Sequence, residues 1–208
     1  TANGRVGYAN VEPSDAKDIL NEKLAKKSIG VVDEYDWIKK QQRVTFARVG
    51  IIDPVSVDDY EAHGGLIGLR KALSLNSENI VEEVTESGLR GRGGAGFPAG
   101  IKWKTVLGAT ADQKYVCCNA DEGDSGTFAD RMLMEGDPLT LVEGMIIAGI
   151  AVGATKGLIY CRSEYPHAIA VLNQAIKNAY AAGVLGKSVC GSHFAFDLEV
   201  RSGAGSYV

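Results

Sequence analysis

The sequence is poor in the features that would place it quickly. It lacks an excess of positive charge: 22 Lys and Arg stand against 26 Asp and Glu, a formal net charge of −4. The electrostatic footprint of a nucleic-acid binder is therefore missing. It lacks a membrane-spanning run. The longest apolar stretch, Leu139 to Val152, carries Glu143, Gly144 and Gly149 and falls short of the roughly 18–20 residues that a span needs. A buried helix is the expectation there, and no direct membrane insertion. The start, Thr1-Ala2-Asn3-Gly4, shows neither Met nor a signal-peptide pattern and reads as sequence from within a protein.

Recognisable metal and nucleophile patterns are also scarce. The four cysteines, at 117, 118, 161 and 190, form no Cys-x-x-Cys pair. Cys117 and Cys118 are adjacent in an expected strand, so their side chains should point to opposite faces. Reduced, buried thiols of a cytoplasmic protein are the expectation. His63, His167 and His193 have no ligand spacing, and no Gly-x-Ser-x-Gly elbow or nucleophile–base set occurs. Such an absence fits chemistry carried by a cofactor, with the protein supplying binding and orientation.

Glycine, in contrast, is abundant: 26 in 208 residues, well above the roughly 7% average. The residues cluster in Gly88-Leu89-Arg90-Gly91-Arg92-Gly93-Gly94-Ala95-Gly96-Phe97-Pro98. Gly91-x-Gly93-x-x-Gly96 formally matches a dinucleotide fingerprint, but a helix rather than a strand is expected before it. The physics survives without the label. Glycines let backbone N–H groups approach an anion, and Pro98 suits the first turn of a helix whose dipole favours one. Arg90, Arg92 and Lys102 add positive charge. The alternative is a surface loop with incidental arginines.

A second feature is Asn119-Ala120-Asp121-Glu122-Gly123-Asp124, directly after the expected buried strand Tyr115–Cys118. In open α/β sheets ligands bind beyond the carboxyl ends of strands. These carboxylates and the amide could engage sugar-like hydroxyls or a ring imide. A solvated acidic turn, or a divalent-metal site without EF-hand spacing, are the other readings.

Helices are expected over Ser14–Ala25, Tyr35–Arg48, part of Val57–Leu75, Glu78–Leu89, Ala99–Leu107, Pro138–Gly153 and from Pro166 to a stop at Gly183. Strands are expected at Tyr115–Cys118, Gly157–Cys161 and Phe194–Val200. From about residue 115 the alternation of strand and helix argues for an α/β fold with at least partly parallel strands.

Several motifs in unbroken order carry a family resemblance. They are Ser87 to Pro98, Ile101-Lys102-Trp103-Lys104, Cys118 to Glu122, Asp130-Arg131 and Glu143-Gly144-Met145. Over roughly residues 35–208 the chain resembles the NADH-oxidising flavoprotein subunit of respiratory complex I and its soluble relatives. Those relatives are the diaphorase subunits of NAD-reducing hydrogenases and NAD-dependent formate dehydrogenases. The resemblance implies a Rossmann-like domain binding FMN and NAD(H) over 87–208, preceded by a mostly helical segment over 31–86. Residues 1–30 resemble the tail of a thioredoxin-like domain or a linker.

By position, Gly91, Arg92, Gly93, Gly94, Ala95, Gly96 and Phe97 would cradle the nucleotide, with Phe97 near the adenine. Lys102, Asn119, Asp121 and Glu122 would contact FMN, Asp124 the nicotinamide end, and Tyr207 the isoalloxazine. Glu122 and Asp124 are the candidate catalytic pair. Thr105 departs from the aromatic residue that many members place near the adenine. The resemblance further implies a longer subunit whose [4Fe-4S] cluster lies outside this chain. Implied partners are iron–sulfur subunits, including a small thioredoxin-like [2Fe-2S] subunit and a catalytic formate dehydrogenase-type subunit. Ser125-Gly126-Thr127-Phe128 and Arg162-Ser163-Glu164-Tyr165-Pro166-His167 look most like the formate dehydrogenase beta subunit. A hydrogenase diaphorase, complex I, and a catalytically dead assembly module are the alternatives.

Overall fold

The structure, a computed structural model, describes residues 4–21, 23–124 and 126–205. The chain forms two compact units, Thr1–Thr45 and Phe46–Val208.

The first unit pairs β1 (Val6–Tyr8) with β2 (Ser28–Val31) in an antiparallel ladder whose register shifts between Gly7 and Tyr8. Two short helices accompany it, α1 (Ala16–Leu20) and α2 (Asp36–Lys39). The expected helices Ser14–Ala25 and Tyr35–Arg48 are thus much shorter, and the hairpin was not anticipated. The physical reason lies in burial: no described residue of this unit is buried. Weak helical periodicity therefore has no core to dock on, and isolated helices of this length are marginal in water.

The second unit opens with three helices: α3 (Val57–Ala62), α4 (Ile67–Leu73) and α5 (Ser77–Glu86). Side chains cap two of them. Ser56 Oγ accepts from Asp59 N at 3.1 Å, and Asn76 Oδ1 from Asn79 N at 2.8 Å, each satisfying an amide that the helix itself leaves unbonded. Then follow α6 (Ala99–Gly108), β3 (Tyr115–Ala120), α7 (Ala129–Gly136), α8 (Pro138–Val152), β4 (Lys156–Cys161), α9 (Pro166–Ala181) and β5 (Asp197–Ser202). The three strands form one sheet in the order β3-β4-β5, parallel throughout. This is the α/β, Rossmann-like arrangement expected from the alternation of elements. Helix α7 was not anticipated.

Helix α8 is apolar nearly all round and correspondingly buried, with Val142, Met145, Ile146, Ala148, Ala151 and Val152 inside. It packs on β3 and β4, while α9 packs on β5. One sheet face, Val116, Cys118, Ile159, Cys161 and Leu198, meets these helices. The other face carries Tyr115, Cys117, Asn119, Tyr160 and Arg201, all exposed. The expected buried strand at Tyr115–Cys118 is therefore half-exposed, with the two cysteines on opposite faces. Strand β5 starts later than expected. Phe196 instead exchanges both backbone hydrogen bonds with Gly186, at 2.9 Å each, and buries its ring completely.

Among the described residues no helix is long and apolar enough to cross a membrane. No group of three or more His, Cys, Asp or Glu among them could hold a metal ion.

Candidate functional site

Lys114 fixes the orientation of the site. Its Nζ donates to Leu107 O at 3.1 Å and to Val152 O at 3.0 Å, satisfying carbonyls at the ends of α6 and α8. Both helices therefore finish where the strands begin. A ten-residue helix and a six-residue strand span comparable lengths, roughly 15 and 20 Å. The glycine-rich loop precedes α6 directly, at the end of that helix away from Lys114.

The glycine-rich loop is closed at its base. Gly91 N donates to Phe97 O and Ala99 N to Leu89 O, both at 2.9 Å, and Arg90 Nη1 donates to Gly96 O at 2.9 Å. Arg90 is thereby committed to the loop itself. Gly94 and Gly96 adopt φ of +101° and +59°, conformations that L side chains rarely take, and a Cβ at Gly93, Gly94 or Gly96 would meet nothing within 4 Å. The loop presents bare backbone to open space, as a cradle for an anion requires. The Arg92 and Lys102 side chains make no hydrogen bond or ion pair with any described residue, and Phe97 is half-exposed. These groups suit a phosphate-bearing, planar ligand.

The acidic loop is held firmly. Asn119 Oδ1 accepts from Asp121 N at 3.0 Å. Asp124 is exposed, and its carbonyl accepts from Thr127 N at 3.1 Å. Glu122 differs from its neighbours: it is only 7% exposed. Its Oε1 accepts from Asp130 N at 2.9 Å, and its Oε2 from Arg131 N at 3.2 Å and from Tyr165 OH at 3.2 Å. It thus satisfies two amides of the first turn of α7, where a negative charge is also favoured by the helix dipole. Desolvation, and then the Glu122 charge, hold the Asp130 carboxyl above its ordinary value. Burial, followed by Glu122, raises the Tyr165 hydroxyl.

Sequence reasoning missed the residues beneath this loop. Two guanidiniums lie over the Tyr165 ring, Arg162 Cζ at 5.1 Å and Arg131 Cζ at 5.3 Å from its centroid. Arg162 Nη1 also donates to Glu122 O. Their signal was position: Arg162 and Tyr165 follow β4 at the carboxyl edge. Tyr207 lies outside the described residues. A surface groove of about 670 Å³ is lined by Tyr115, Lys156, Tyr180, Asp197, Glu199 and Arg201 among others, and contains no predicted site residue.

Over residues 84–208 the chain matches the family described as the Nuo51 FMN-binding domain. The chain belongs to that family. Both loops fall inside the matched Nuo51 region. The NADP-reducing hydrogenase subunit HndC of Solidesulfovibrio fructosivorans is 54% identical over 170 residues, covering 82% of this chain and 34% of that protein. A subunit of the NADH-quinone oxidoreductase of Escherichia coli is 46% identical over 157 residues, covering 74% of this chain and 35% of that protein. A crystal structure of an NAD+-reducing [NiFe]-hydrogenase in the H2-reduced state aligns with a TM-score of 0.56 at 38% identity, covering 64% of this chain and 22% of that one. The chain spans about a third of the length of these curated relatives.

Proposed function

We propose that this chain is the flavin- and nicotinamide-binding part of a diaphorase subunit, exchanging electrons between NAD(H) and FMN within a larger NAD-linked complex. One observation carries the reading. The bare-backbone glycine loop, whose Arg92 and Lys102 side chains bond no described residue, lies together with the Asn119–Asp124 loop inside an FMN-binding family match. Gly91, Arg92, Gly93, Gly94, Ala95, Gly96 and Phe97 would cradle the nucleotide. Lys102, Asn119, Asp121 and Glu122 would hold FMN, Asp124 would lie at the nicotinamide end, and Tyr207 would approach the isoalloxazine. Hydride transfer between nicotinamide C4 and flavin N5 is the chemistry a bound FMN supplies. It needs alignment rather than a protein base. The residues' task is to bind both rings, orient them and exclude water.

The complex is a finer question. A hydrogenase and an NADH-quinone oxidoreductase supply the relatives named above. The formate dehydrogenase reading rests on the resemblance at 125–128 and 162–167. The [4Fe-4S] cluster and the iron–sulfur partner subunits belong to the same proposal.

The test is the full-length protein, purified with its neighbours. It should be yellow, bleach on adding NADH under nitrogen, and co-purify with a subunit that oxidises formate or hydrogen and so names the complex. Lys102→Ala should lower FMN affinity about tenfold or more, because a charge-assisted contact is worth about 1.5–3 kcal/mol. A colourless, NADH-inert wild-type protein would favour the assembly-module reading instead. Unchanged FMN affinity in Lys102→Ala would remove that residue from the site.

A further inference from the structure

Glu122 and its loop are not self-supporting; a separate segment, the first turn after β4, holds them at three points. Arg162 N donates to Ala120 O at 3.4 Å, Arg162 Nη1 donates to Glu122 O, and Tyr165 OH donates to Glu122 Oε2 at 3.2 Å with Thr127 O at 3.5 Å. Residues 120, 122 and 127 bracket the stretch that presents Asp121 and Asp124. The Tyr165 ring is itself held by cation–π contacts with both Arg131 and Arg162. Arg131 comes from α7, whose first amides Glu122 caps, so loop, α7 and the start of α9 close into one ring of contacts.

We infer that Tyr165 is a positioning residue for the nicotinamide–flavin reaction, acting through the Glu122 carboxylate to hold the 120–124 loop in register with its ligands. This rests on the functional reading above and deepens it. A phenol suits the task. It donates to a buried carboxylate that already has two amide partners, and its flat ring offers the guanidiniums of Arg131 and Arg162 a face to stack on. Removing the hydroxyl leaves Glu122 short of a donor and frees the loop without emptying the ring's place.

The experiment uses the full-length protein as wild type, Tyr165→Phe, Glu122→Gln and the double variant. Tyr180→Phe is the control, because Tyr180 also bonds Asp197 and the Leu198 amide but sits at the opposite sheet edge. Tyr165→Phe should lower kcat/KM for NADH about tenfold, chiefly by raising KM, and should alter the visible circular dichroism of bound FMN. On the Glu122→Gln background the same change should cost less than about twofold, because contacting residues that act as a unit are not additive. Amide exchange across 120–127 should quicken in Tyr165→Phe and not in Tyr180→Phe. Wild-type kcat/KM and dichroism in Tyr165→Phe, or an equal loss on both backgrounds, would overturn the inference. If Tyr165→Phe does not fold, Arg162→Lys carries the same expectations, since lysine cannot hold the Glu122 carbonyl and stack on the ring together. A wild-type protein without FMN or NADH activity would sink the functional reading, leaving the clamp to be judged by amide exchange alone. Unchanged exchange would then refute it.

Discussion

At the scale of single residues, chemistry follows from which face a side chain occupies. Cys117 and Cys118 differ by one position, yet the first is exposed and the second faces the helices. Burial, then the charges of Asp130, Cys161 and Cys117, push the Cys118 thiol up to about 11 from an ordinary 9.0. The raised value means that the fold favours the protonated thiol. Its contribution is intact below pH 9 and is lost as pH rises toward 11. Denaturant titrations at about pH 8 and about pH 10.5 should therefore show a smaller alkaline loss of stability in Cys118→Ala than in wild type. An equal loss in the two proteins would show that other groups carry the alkaline sensitivity. Glu122 gives the companion lesson. Its type and place marked it as a candidate for the reacting centre, but its partners, the α7 amides and Tyr165, are residues far enough along the chain that spacing alone does not reveal them.

At the scale of elements, α8 shows how packing decides between opposing effects. Replacing a helix-interior glycine by alanine gains about 1 kcal/mol of propensity. At Gly144 a Cβ would meet nothing within 4 Å, so Gly144→Ala should stabilise by up to about that amount. At Gly149 a Cβ would lie 2.5 Å from Phe196 Cε2 and 2.9 Å from Ala154 O. The ring is fully buried and the carbonyl is backbone, so neither can yield cheaply. Overpacking of about 1–3 kcal/mol should outweigh the propensity gain and leave Gly149→Ala less stable than wild type by chemical denaturation. Two stabilising variants would mean that α8 is free to shift. These elements were legible in the sequence because α8 and α9 announce themselves: Pro138 and Pro166 open them, and Gly153 and Gly183 close them in the left-handed conformation. The glycine loop was legible as an anion cradle, but its closure by the Leu89–Ala99 pairing was not. Helix α7 was hidden because its cap comes from Glu122 rather than from the residue before it. The β1–β2 hairpin was hidden because neither strand alternates over a buried face.

At the scale of the whole Phe46–Val208 unit, the helices ahead of the matched family region are joined to the α/β core by a buried polar network, not by apolar packing alone. Asp137 is fully buried. Its Oδ2 accepts from Arg48 Nε at 2.9 Å and from Thr140 Oγ1 at 2.8 Å, and its Oδ1 has no hydrogen-bond partner among the described residues. Arg48 stacks over the Tyr60 ring at 4.7 Å, and Tyr60 OH donates to Glu143. Glu143 reaches from α8 to accept from Leu66 N at 2.9 Å and Leu69 N at 2.8 Å, capping α4, whose own N-cap residue offers no side-chain bond. Such a network is costly to break on one side and much cheaper to remove whole, because a lone buried carboxylate keeps its desolvation penalty after its cation is gone. Arg48 is partly exposed, so the loss on Arg48→Met should sit at the lower end of the usual range, about 3 kcal/mol. The double variant Arg48→Met with Asp137→Asn removes both charges and leaves the amide to bond Thr140. It should regain at least half of that loss in denaturant unfolding of the full-length protein. If the double variant is instead as unstable as the sum of the singles, the ion pair is not what joins α8 to the segment before it, and the Tyr60–Glu143 cap of α4 must carry the connection.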